Sequence, residues 1–274
     1  MVMVMQRDKA IGVFDSGVGG LTVLDAIRHR LPNERLVYLG DTARVPYGNK
    51  APSTIVRYSL ACAKVLIERD VKALVIACNT ASAHGLSALA TAYPVPVIGV
   101  IEPVARRAAQ LSQSGTVGVI GTRATVSSEA YRHALSQFRT GLSVLQQACP
   151  LFVPLVEEGW QEDDVTIRIA ERYLRHFEGS TLDVLILGCT HYPRLRIPIS
   201  SALAALVPQT VQLCDSATAT AEALHSYLLE RDLLRQGQPS QPRYLVTDDP
   251  EHFRSVGMNF LDDAFSDVQH IDWL

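Results

Sequence analysis

One short pattern occurs twice in this chain and constrains its fold more than any other feature. It runs ALVIACNT at residues 73–80 and VLILGCTH at residues 184–191. In each copy an apolar, partly β-branched run predicts a buried strand, and a small residue, a cysteine and polar residues follow it. Such a strand delivers its cysteine to the rim of a sheet, where α/β folds bind ligands. A lone cysteine of this kind is usually buried and inert, but the pair predicts that Cys78 and Cys189 face one small ligand.

A second pair of matching strands supports an internal duplication. Residues 11–16 (IGVFDS) parallel residues 117–122 (VGVIGT), and each precedes its cysteine strand by a similar interval. Because strand-length apolar runs alternate with helix-type spacing along the chain, the predicted fold class is α/β. We therefore expect two related, doubly wound domains with mainly parallel sheets, pseudo-twofold symmetry and the active site between them.

Two loops rich in turn residues follow the first two predicted strands. The sequence DSGVGG at residues 15–20 lies between a strand and a helix, an arrangement that aims backbone N–H groups at an anion. Its spacing matches neither the dinucleotide nor the P-loop motif, so it favours a carboxylate or a small polar ligand; the alternative is a tight turn capped by Asp15. In the second loop Tyr47 and Gly48 offer a phenol and a close backbone to a ligand. The alternative there is a type II turn led by Pro46.

The composition excludes several classes of protein. The 274 residues are 47% hydrophobic and 19% charged with a net charge of −3, which does not indicate a basic surface that binds nucleic acid. No apolar run is long enough to span a bilayer, and the amino-terminal segment is too short for a signal peptide, so we expect a cytoplasmic protein. The five cysteines are an odd, scattered set without a C-x-x-C motif, which predicts reduced thiols rather than a disulfide framework.

Two thiols on opposite sides of a carbon atom suit a racemisation, in which a proton leaves one face and arrives on the other. One cysteine must then be a thiolate and the other a thiol, so their pKa values need tuning by neighbouring groups. The obvious titratable groups in or near the motifs are Asp15, His191 and Glu157. The donors that suit a substrate carboxylate are the hydroxyl and backbone N–H groups of Ser16, Thr80 and Thr190.

Alternatives that depend on a cofactor, a metal or redox chemistry find less support in the sequence. Amino-acid racemases often hold pyridoxal phosphate on a lysine, but no lysine here lies on a convincing phosphate-binding turn; the four are Lys9, Lys50, Lys64 and Lys72. Cys189 and His191 are soft metal ligands, yet zinc needs three or four ligands and nothing nearby completes the set. A redox thiol protein would show a disulfide between Cys78 and Cys189. We therefore expect neither a cofactor nor a metal.

Four motifs together resemble those of the glutamate racemase family, in the same order and over nearly the whole chain. They are DSGVGG at 15–20, PYG at 46–48, ACNTAS at 77–82 and GCTHYP at 188–193. The resemblance implies a cofactor-independent isomerase that interconverts L- and D-glutamate and supplies D-glutamate for bacterial peptidoglycan. It also implies a homodimer whose chains have two α/β domains, the first comprising residues 1–100 plus 212–274 and the second residues 101–211.

The same resemblance implies roles for individual residues. Cys78 abstracts the proton of D-glutamate and Cys189 acts on L-glutamate, while the residues that assist the thiols are Asp15, His191 and Glu157. Substrate contacts fall on Asp15, Ser16, Tyr47, Gly48, Asn79, Thr80, Thr190 and His191. The alternatives are a related racemase that acts on aspartate or a hydantoin, and a non-catalytic binding protein. An interaction with DNA gyrase, reported for some members of the family, is compatible with catalysis.

Overall fold

The computed structural model describes residues 6–261, 265 and 267–272, so the expectation of a missing signal peptide falls partly outside it, on residues 1–5. The strands are β1 (Ile11–Asp15), β2 (Leu36–Gly40), β3 (Ala73–Ile76), β4 (Val97–Gly99), β5 (Thr116–Gly121), β6 (Ser143–Ala148), β7 (Val184–Gly188), β8 (Gln212–Asp215), β9 (Arg243–Val246) and β10 (Val268–His270). The α-helices are α1 (Leu21–Arg30), α2 (Pro52–Ile67), α3 (Asn79–Ala92), α4 (Ile101–Leu111), α5 (Arg123–Ser127), α6 (Ala130–Phe138), α7 (Phe152–Glu157), α8 (Asp164–Leu174), α9 (Arg196–Leu206), α10 (Ser216–Glu230) and α11 (Pro250–Gly257).

The strands form two sheets whose topologies repeat. The first sheet has the order β10-β9-β2-β1-β3-β4, and the second has the order β6-β5-β7-β8. All the strand pairs of both sheets are parallel. The run β2-β1-β3-β4 therefore matches β6-β5-β7-β8 strand for strand, and the two cysteine strands β3 and β7 occupy equivalent positions. The predicted fold class, two related α/β units with mainly parallel sheets, is confirmed.

The first sheet is extended by strands from the end of the chain. β9 pairs with β2, and β10 lies outside β9 at the edge of the sheet. β8, at Gln212–Asp215, pairs with β7 and so belongs to the second sheet. The chain therefore leaves the second sheet after residue 215, a few residues beyond the expected limit of 211. The division into domains as such stays a prediction.

Helices cover both sheets and bury their strands. β1, β3, β5 and β7 are buried along their whole length. The largest apolar cluster runs through both halves of the molecule, and it includes Ile27 of α1, Leu187 of β7 and Leu224 of α10. Burying each such side chain contributes about 1.5–3 kcal/mol, so this shared core holds the two sheets together. Among the described residues, no helix has both the length and the apolar character needed to cross a membrane.

Two helical segments differ from the interpretation of the sequence. The apolar stretch 149–159 reads as a loop, but it contains α7. Pro154 is the third residue of that helix, where a missing N–H breaks no intrahelical hydrogen bond. After β5 the sequence indicates one helix that reaches Phe138, whereas the structure has α5 and α6, separated by Glu129 in the left-handed conformation (φ 56°).

A buried ion pair lies at the amino ends of the strands of the first sheet, which is the end opposite the cysteine turns. The Lys72 and Glu34 side chains are 0% and 2% exposed, and Lys72 Nζ lies 2.6 Å from Glu34 Oε2. The same ammonium group donates hydrogen bonds of 2.8 Å to the carbonyl oxygens of Arg7 and Leu233. Burial lowers the pKa of Lys72, while the hydrogen bond with Glu34 opposes that change. The pair therefore ties the chain before β1 and the segment after α10 to the start of β3.

Replacing Lys72 should destabilise the fold strongly. The variant Lys72→Met leaves the Glu34 carboxylate buried without its partner, which typically costs about 3–5 kcal/mol. Urea unfolding at neutral pH measures the loss as a lower midpoint. The matched control is Lys64→Met, because Lys64 is exposed and its ion pair with Glu68 is long, at 3.9 Å. That control should lose less than about 1 kcal/mol. Equal losses in the two variants would contradict the role given to the buried pair.

Candidate active site

The carboxyl ends of the central strands of the two sheets lie close to one another. In each repeat the strand order reverses around the first strand, β1 or β5, and ligands of such sheets bind at the carboxyl ends of the strands beside that point. The cysteines follow the neighbouring strands, Cys78 after β3 and Cys189 after β7. Both thiols line one narrow cavity of about 30 Å³. The residues that line it are Ser16, Val45, Pro46, Tyr47, Gly48, Cys78, Asn79, Thr80, Thr122, Val153, Cys189, Thr190 and His191.

A larger cavity lies at the other end of the first sheet. It has a volume of about 770 Å³ and is lined by residues at the amino ends of β1, β2 and β9. Its described lining contains charged surface residues such as Lys9, Arg35 and Asp70, but neither a cysteine nor a histidine. The candidate acid–base groups Cys78, Cys189 and His191 therefore lie at the smaller cavity.

Cys78 is the N-cap residue of α3. Its Sγ accepts a hydrogen bond from the backbone N–H of Ala81 at 3.4 Å and lies 3.6 Å from Ser16 Oγ. In the structure the thiol donates to Ser16 Oγ, but the Ala81 N–H, the Ser16 hydroxyl group and the positive end of the helix would each favour a thiolate. Burial acts in the opposite direction and, with the nearby Asp15 carboxyl group, raises the pKa of Cys78 to about 12. Cys78 is therefore a protonated thiol at neutral pH.

Cys189 has a histidine rather than a helix terminus as its neighbour. Its Sγ lies 3.9 Å from His191 Nδ1, and His191 Nε2 lies 2.8 Å from Glu157 Oε1. Burial disfavours the charged imidazole, but the contacts with Cys189 and Glu157 outweigh it and raise the pKa of His191 to about 10. His191 is therefore an imidazolium at neutral pH, and its Nδ1 atom lies 3.9 Å from the Cys189 sulfur. The two equivalent thiols have different electrostatic surroundings.

Asp15 lies behind the cavity rather than on its wall. The side chain is buried, and Oδ2 accepts a hydrogen bond of 2.9 Å from the backbone N–H of Gly17. Burial raises the pKa of Asp15, against the opposing effects of the His191 charge and of neighbouring backbone N–H groups. The alternative that Asp15 caps the following helix is not realised, because α1 begins six residues later, at Leu21, with Gly20 as its N-cap.

The glycine-rich turn after β1 is shaped by the other half of the molecule. A Cβ atom on Gly19 would lie 2.3 Å from Thr190 Oγ1 and 2.4 Å from the His191 ring. A Cβ atom on Gly20 would lie 2.4 Å from the Cβ atom of Asp15. No side chain fits in either place. Gly19 therefore allows the backbone after β1 to approach the residues that follow Cys189, and Gly20 allows the turn to fold back against Asp15.

The loop after β2 lines the cavity, and the hydroxyl group of its tyrosine is hydrogen-bonded within the protein. The hydroxyl group of Tyr47 donates to Asp41 Oδ2 at 2.5 Å and lies 3.7 Å from Cys62 Sγ. The hydroxyl group therefore has partners within the protein, and the expected contact of Tyr47 with a ligand stays a prediction. Residues Tyr47–Asn49 form one 3₁₀ turn rather than a type II turn, because Gly48 is not among the residues with positive φ. A Cβ atom on Gly48 would meet Thr122 Cβ at 2.7 Å, another close approach between the halves.

The first turn of α3 is hydrogen-bonded to the second half. Thr80 Oγ1 lies 2.9 Å from Thr122 Oγ1 and 3.1 Å from Thr125 Oγ1. Asn79 Nδ2 donates to Tyr131 Oη at 2.7 Å and to Ser216 Oγ at 2.9 Å. These side chains bridge the two sheets directly behind the cavity.

Most of the residues singled out in the sequence meet at this cavity. Nine of them line it: Ser16, Tyr47, Gly48, Cys78, Asn79, Thr80, Cys189, Thr190 and His191. Asp15 and Glu157 do not, although each interacts with His191. Thr122 and Val153 also line the cavity but were not among the expected site residues. The repeat contains a signal for Thr122, since it stands where Ser16 stands in the first copy.

Two further sequence alternatives can be compared with the structure. All five cysteines are free thiols, including Cys78 and Cys189. Across residues 6–261, 265 and 267–272, no group of three or more histidine, cysteine or acidic side chains is arranged to hold a metal ion. The pairing of Cys189 with His191 is thus not extended to a set of zinc ligands by any described residue.

Comparisons with known proteins agree on one family. The family model for Asp/Glu/Hydantoin racemase matches residues 12–224. A glutamate racemase from Geobacter metallireducens is 48% identical over 264 residues, which is 96% of either chain. The crystal structure of a Thermus thermophilus glutamate racemase in complex with β-chloro-D-alanine has a TM-score of 0.87 and 43% identity, over 97% of this chain and 98% of that one. The Francisella tularensis glutamate racemase in complex with D-glutamate has a TM-score of 0.91 and 38% identity over the same shares.

The pKa of His191 should depend on Glu157. In the variant Glu157→Gln the imidazolium loses a carboxylate partner, so the pKa of His191 should fall from about 10 towards its ordinary value of 6.5. Histidine NMR over a pH series measures this, with His191→Asn to assign the resonance. Because folding raises this pKa, the stability that the imidazolium contributes is complete below pH 6.5 and is lost as the pH rises through about 10. The matched control is Glu158→Gln, on the exposed neighbouring residue, which should leave the His191 titration unchanged.

Proposed function

The chain belongs to the Asp/Glu/hydantoin racemase family, and we propose that it interconverts L- and D-glutamate by moving the α-proton between the thiols of Cys78 and Cys189. The observation that carries this proposal is that both thiols line one narrow cavity, each at the end of an equivalent strand in its own sheet. Glutamate as the substrate is supported by the relatives named glutamate racemase, one of which is in complex with D-glutamate.

The reaction needs one thiolate and one thiol at the start of each turnover. With L-glutamate, the Cys189 thiolate takes the α-proton and becomes a thiol. The electron pair of the broken C–H bond stays on Cα and is shared with the α-carboxylate. The Cys78 thiol then gives its proton to the opposite face of Cα, which produces D-glutamate and a Cys78 thiolate. Proton exchange with solvent restores the starting state, and the reverse sequence converts D-glutamate.

The electrostatics of the two thiols support this assignment. The His191 imidazolium, held by Glu157, lies beside the Cys189 sulfur, while the raised pKa of about 12 keeps Cys78 protonated. In this arrangement Cys78 is the acid and Cys189 is the base for L-glutamate. A thiolate formed at Cys78 is a strong base because its thiol has such a high pKa, and this suits a very weakly acidic α-proton. The N–H of Ala81 and the amino end of α3 stabilise that thiolate while it exists.

Hydroxyl and backbone N–H groups around the cavity are suited to hold the substrate. We assign this role to Ser16, Thr80 and Thr190, which line the cavity beside the thiols. Donors fixed in advance at the α-carboxylate stabilise the charge that develops when the proton leaves.

A reaction without pyridoxal phosphate is consistent with the residues present at the cavity. No lysine is among the described lining residues, so none is placed to form a Schiff base with a cofactor. The four lysines lie elsewhere, and Lys72 is committed to its buried pair with Glu34.

Both thiols should be necessary for turnover. We expect Cys78→Ala and Cys189→Ala each to lower glutamate racemisation by about 10²–10⁴-fold, since each removes one of the two acid–base groups. The assay incubates metal-free protein with L-glutamate in D₂O, without pyridoxal phosphate, and follows optical rotation and deuterium at Cα. Cys214→Ala is the matched control, because Cys214 is also buried but does not line the cavity. Undiminished racemisation in either cavity variant would refute the two-thiol mechanism, and turnover of aspartate instead of glutamate would move the substrate to the related racemases.

The wider role follows from the same proposal. D-glutamate formed by this chain would be supplied to peptidoglycan synthesis, as the family resemblance implies. The cytoplasmic location and an interaction with DNA gyrase stay predictions.

We also propose that the chain forms a homodimer. Large apolar side chains are exposed around the start of α7 and α8, where Leu151 is 50%, Trp160 49% and Val165 44% exposed, and their burial would favour self-association. Light scattering should give a mass of twice the 30.0 kDa of one chain. A monomer at micromolar concentration would contradict this, without affecting the catalytic proposal.

A further inference from the structure

We propose that Tyr131 and Ser216 are positioning residues that hold the amide of Asn79 with its oxygen towards the substrate, where it accepts a hydrogen bond from the α-ammonium group. This inference rests on the proposed function, since it concerns how the same cavity recognises an amino acid. According to this inference, the cavity recognises the ammonium group of the substrate as well as its carboxylates.

The hydrogen bonds of Asn79 leave one atom without a partner. Both N–H groups of its amide are used, since Nδ2 donates to Tyr131 Oη at 2.7 Å and to Ser216 Oγ at 2.9 Å. Its Oδ1 atom is buried and has no hydrogen-bond partner in the structure. Asn79 lines the cavity, whereas Tyr131 and Ser216 do not. The acceptor end of the amide is therefore the end without a partner in the protein, and an ammonium group is a donor that matches it.

The two hydroxyl groups together select this orientation of the amide. Tyr131 Oη and Ser216 Oγ are 3.5 Å apart, so one hydroxyl can donate to the other. An oxygen whose proton is used in this way can only accept from Asn79, which requires the NH₂ end of the amide to face it. If the amide turned over, its NH₂ group would face the cavity and would attract a carboxylate instead of an ammonium group.

Tyr131 contacts both cysteine turns. Its ring packs on Gly188, immediately before Cys189, and a Cβ atom there would lie 2.9 Å from Tyr131 Cε2. Its hydroxyl group holds Asn79, immediately after Cys78. The small residue before the second cysteine therefore makes room for this ring. Burial raises the pKa of Tyr131 to about 12, against the hydrogen bonds from Ser216 and Asn79, so the phenol stays neutral during turnover.

The variant Tyr131→Phe separates positioning from packing. It keeps the ring on Gly188 but removes the hydroxyl that holds the amide, so we expect KM for glutamate to rise about tenfold with a smaller change in kcat. The decisive probe is glutarate, which has both carboxylates of glutamate but no ammonium group. Its inhibition constant against the wild-type enzyme and the variant should be the same. Ser216→Ala should act in the same direction, and it carries the test if Tyr131→Phe does not fold.

The matched control is Tyr93→Phe. Tyr93 also donates its hydroxyl to a partner, the Leu60 carbonyl oxygen at 3.0 Å, but it does not line the cavity or touch Asn79. This variant should leave KM for glutamate and the inhibition constant of glutarate unchanged. Circular dichroism of each variant confirms that the fold is retained.

The outcomes distinguish this inference from the function on which it rests. If wild-type protein does not racemise glutamate, the proposed function fails. If it does, but Tyr131→Phe weakens glutamate and glutarate equally, the role of Tyr131 is only structural and the inference fails. It also fails if neither constant changes, or if glutarate is weakened more than glutamate, since the amide would then donate to a carboxylate.

Discussion

The close packing of the turn after β1 against the turn after β7 is the contact on which the site depends. At Gly19 there is no room for a Cβ atom, because Thr190 Oγ1 and the His191 ring would lie 2.3 and 2.4 Å from it. Because protein interiors are close-packed, a side chain at this position could fit only if the two turns moved apart. This packing brings the backbone that follows β1 of one sheet against the residues that follow Cys189 in the other.

Cys78 and Cys189 occupy equivalent positions in the two repeats, but their surroundings differ. The equivalent positions of β3 and β7 would place two identical thiols around the substrate, and identical thiols would share one proton as a coupled pair with no preferred site. Burial beside Asp15 raises the pKa of Cys78, whereas Cys189 has the His191 imidazolium 3.9 Å from its sulfur. In the proposed reaction the topological symmetry supplies the two faces, and the different surroundings supply the acid and the base.

How much the sequence could predict depended on whether a signal was local. The α/β class, the duplication and the two cysteine turns follow from strand-length apolar runs and a repeated motif, which are features of adjacent residues. Thr122 could also have been read from the repeat. The environment of the Tyr47 hydroxyl could not, because its partner Asp41, although only six residues away, is brought to it by the path of an irregular loop, which the residue types do not specify. Helix α7 could not be predicted either, because a proline such as Pro154 within a short apolar stretch argues against a helix.

The partners of Asn79 could not be predicted for a further reason. Tyr131 and Ser216 lie 52 and 137 residues away in the chain, on helices that the sequence gives no cause to connect with a cysteine turn. Their bonds to Asn79, like the bond between Thr80 and Thr122, cross between the two sheets.

These hydrogen bonds give the proposed recognition of the ammonium group its energetic basis. Tyr131 and Ser216 hold the NH₂ end of the Asn79 amide, which leaves its oxygen without a partner. A buried carbonyl oxygen without a partner costs about 1–3 kcal/mol. In the proposed complex the ammonium group of glutamate removes that cost, whereas a ligand without an ammonium group leaves it in place.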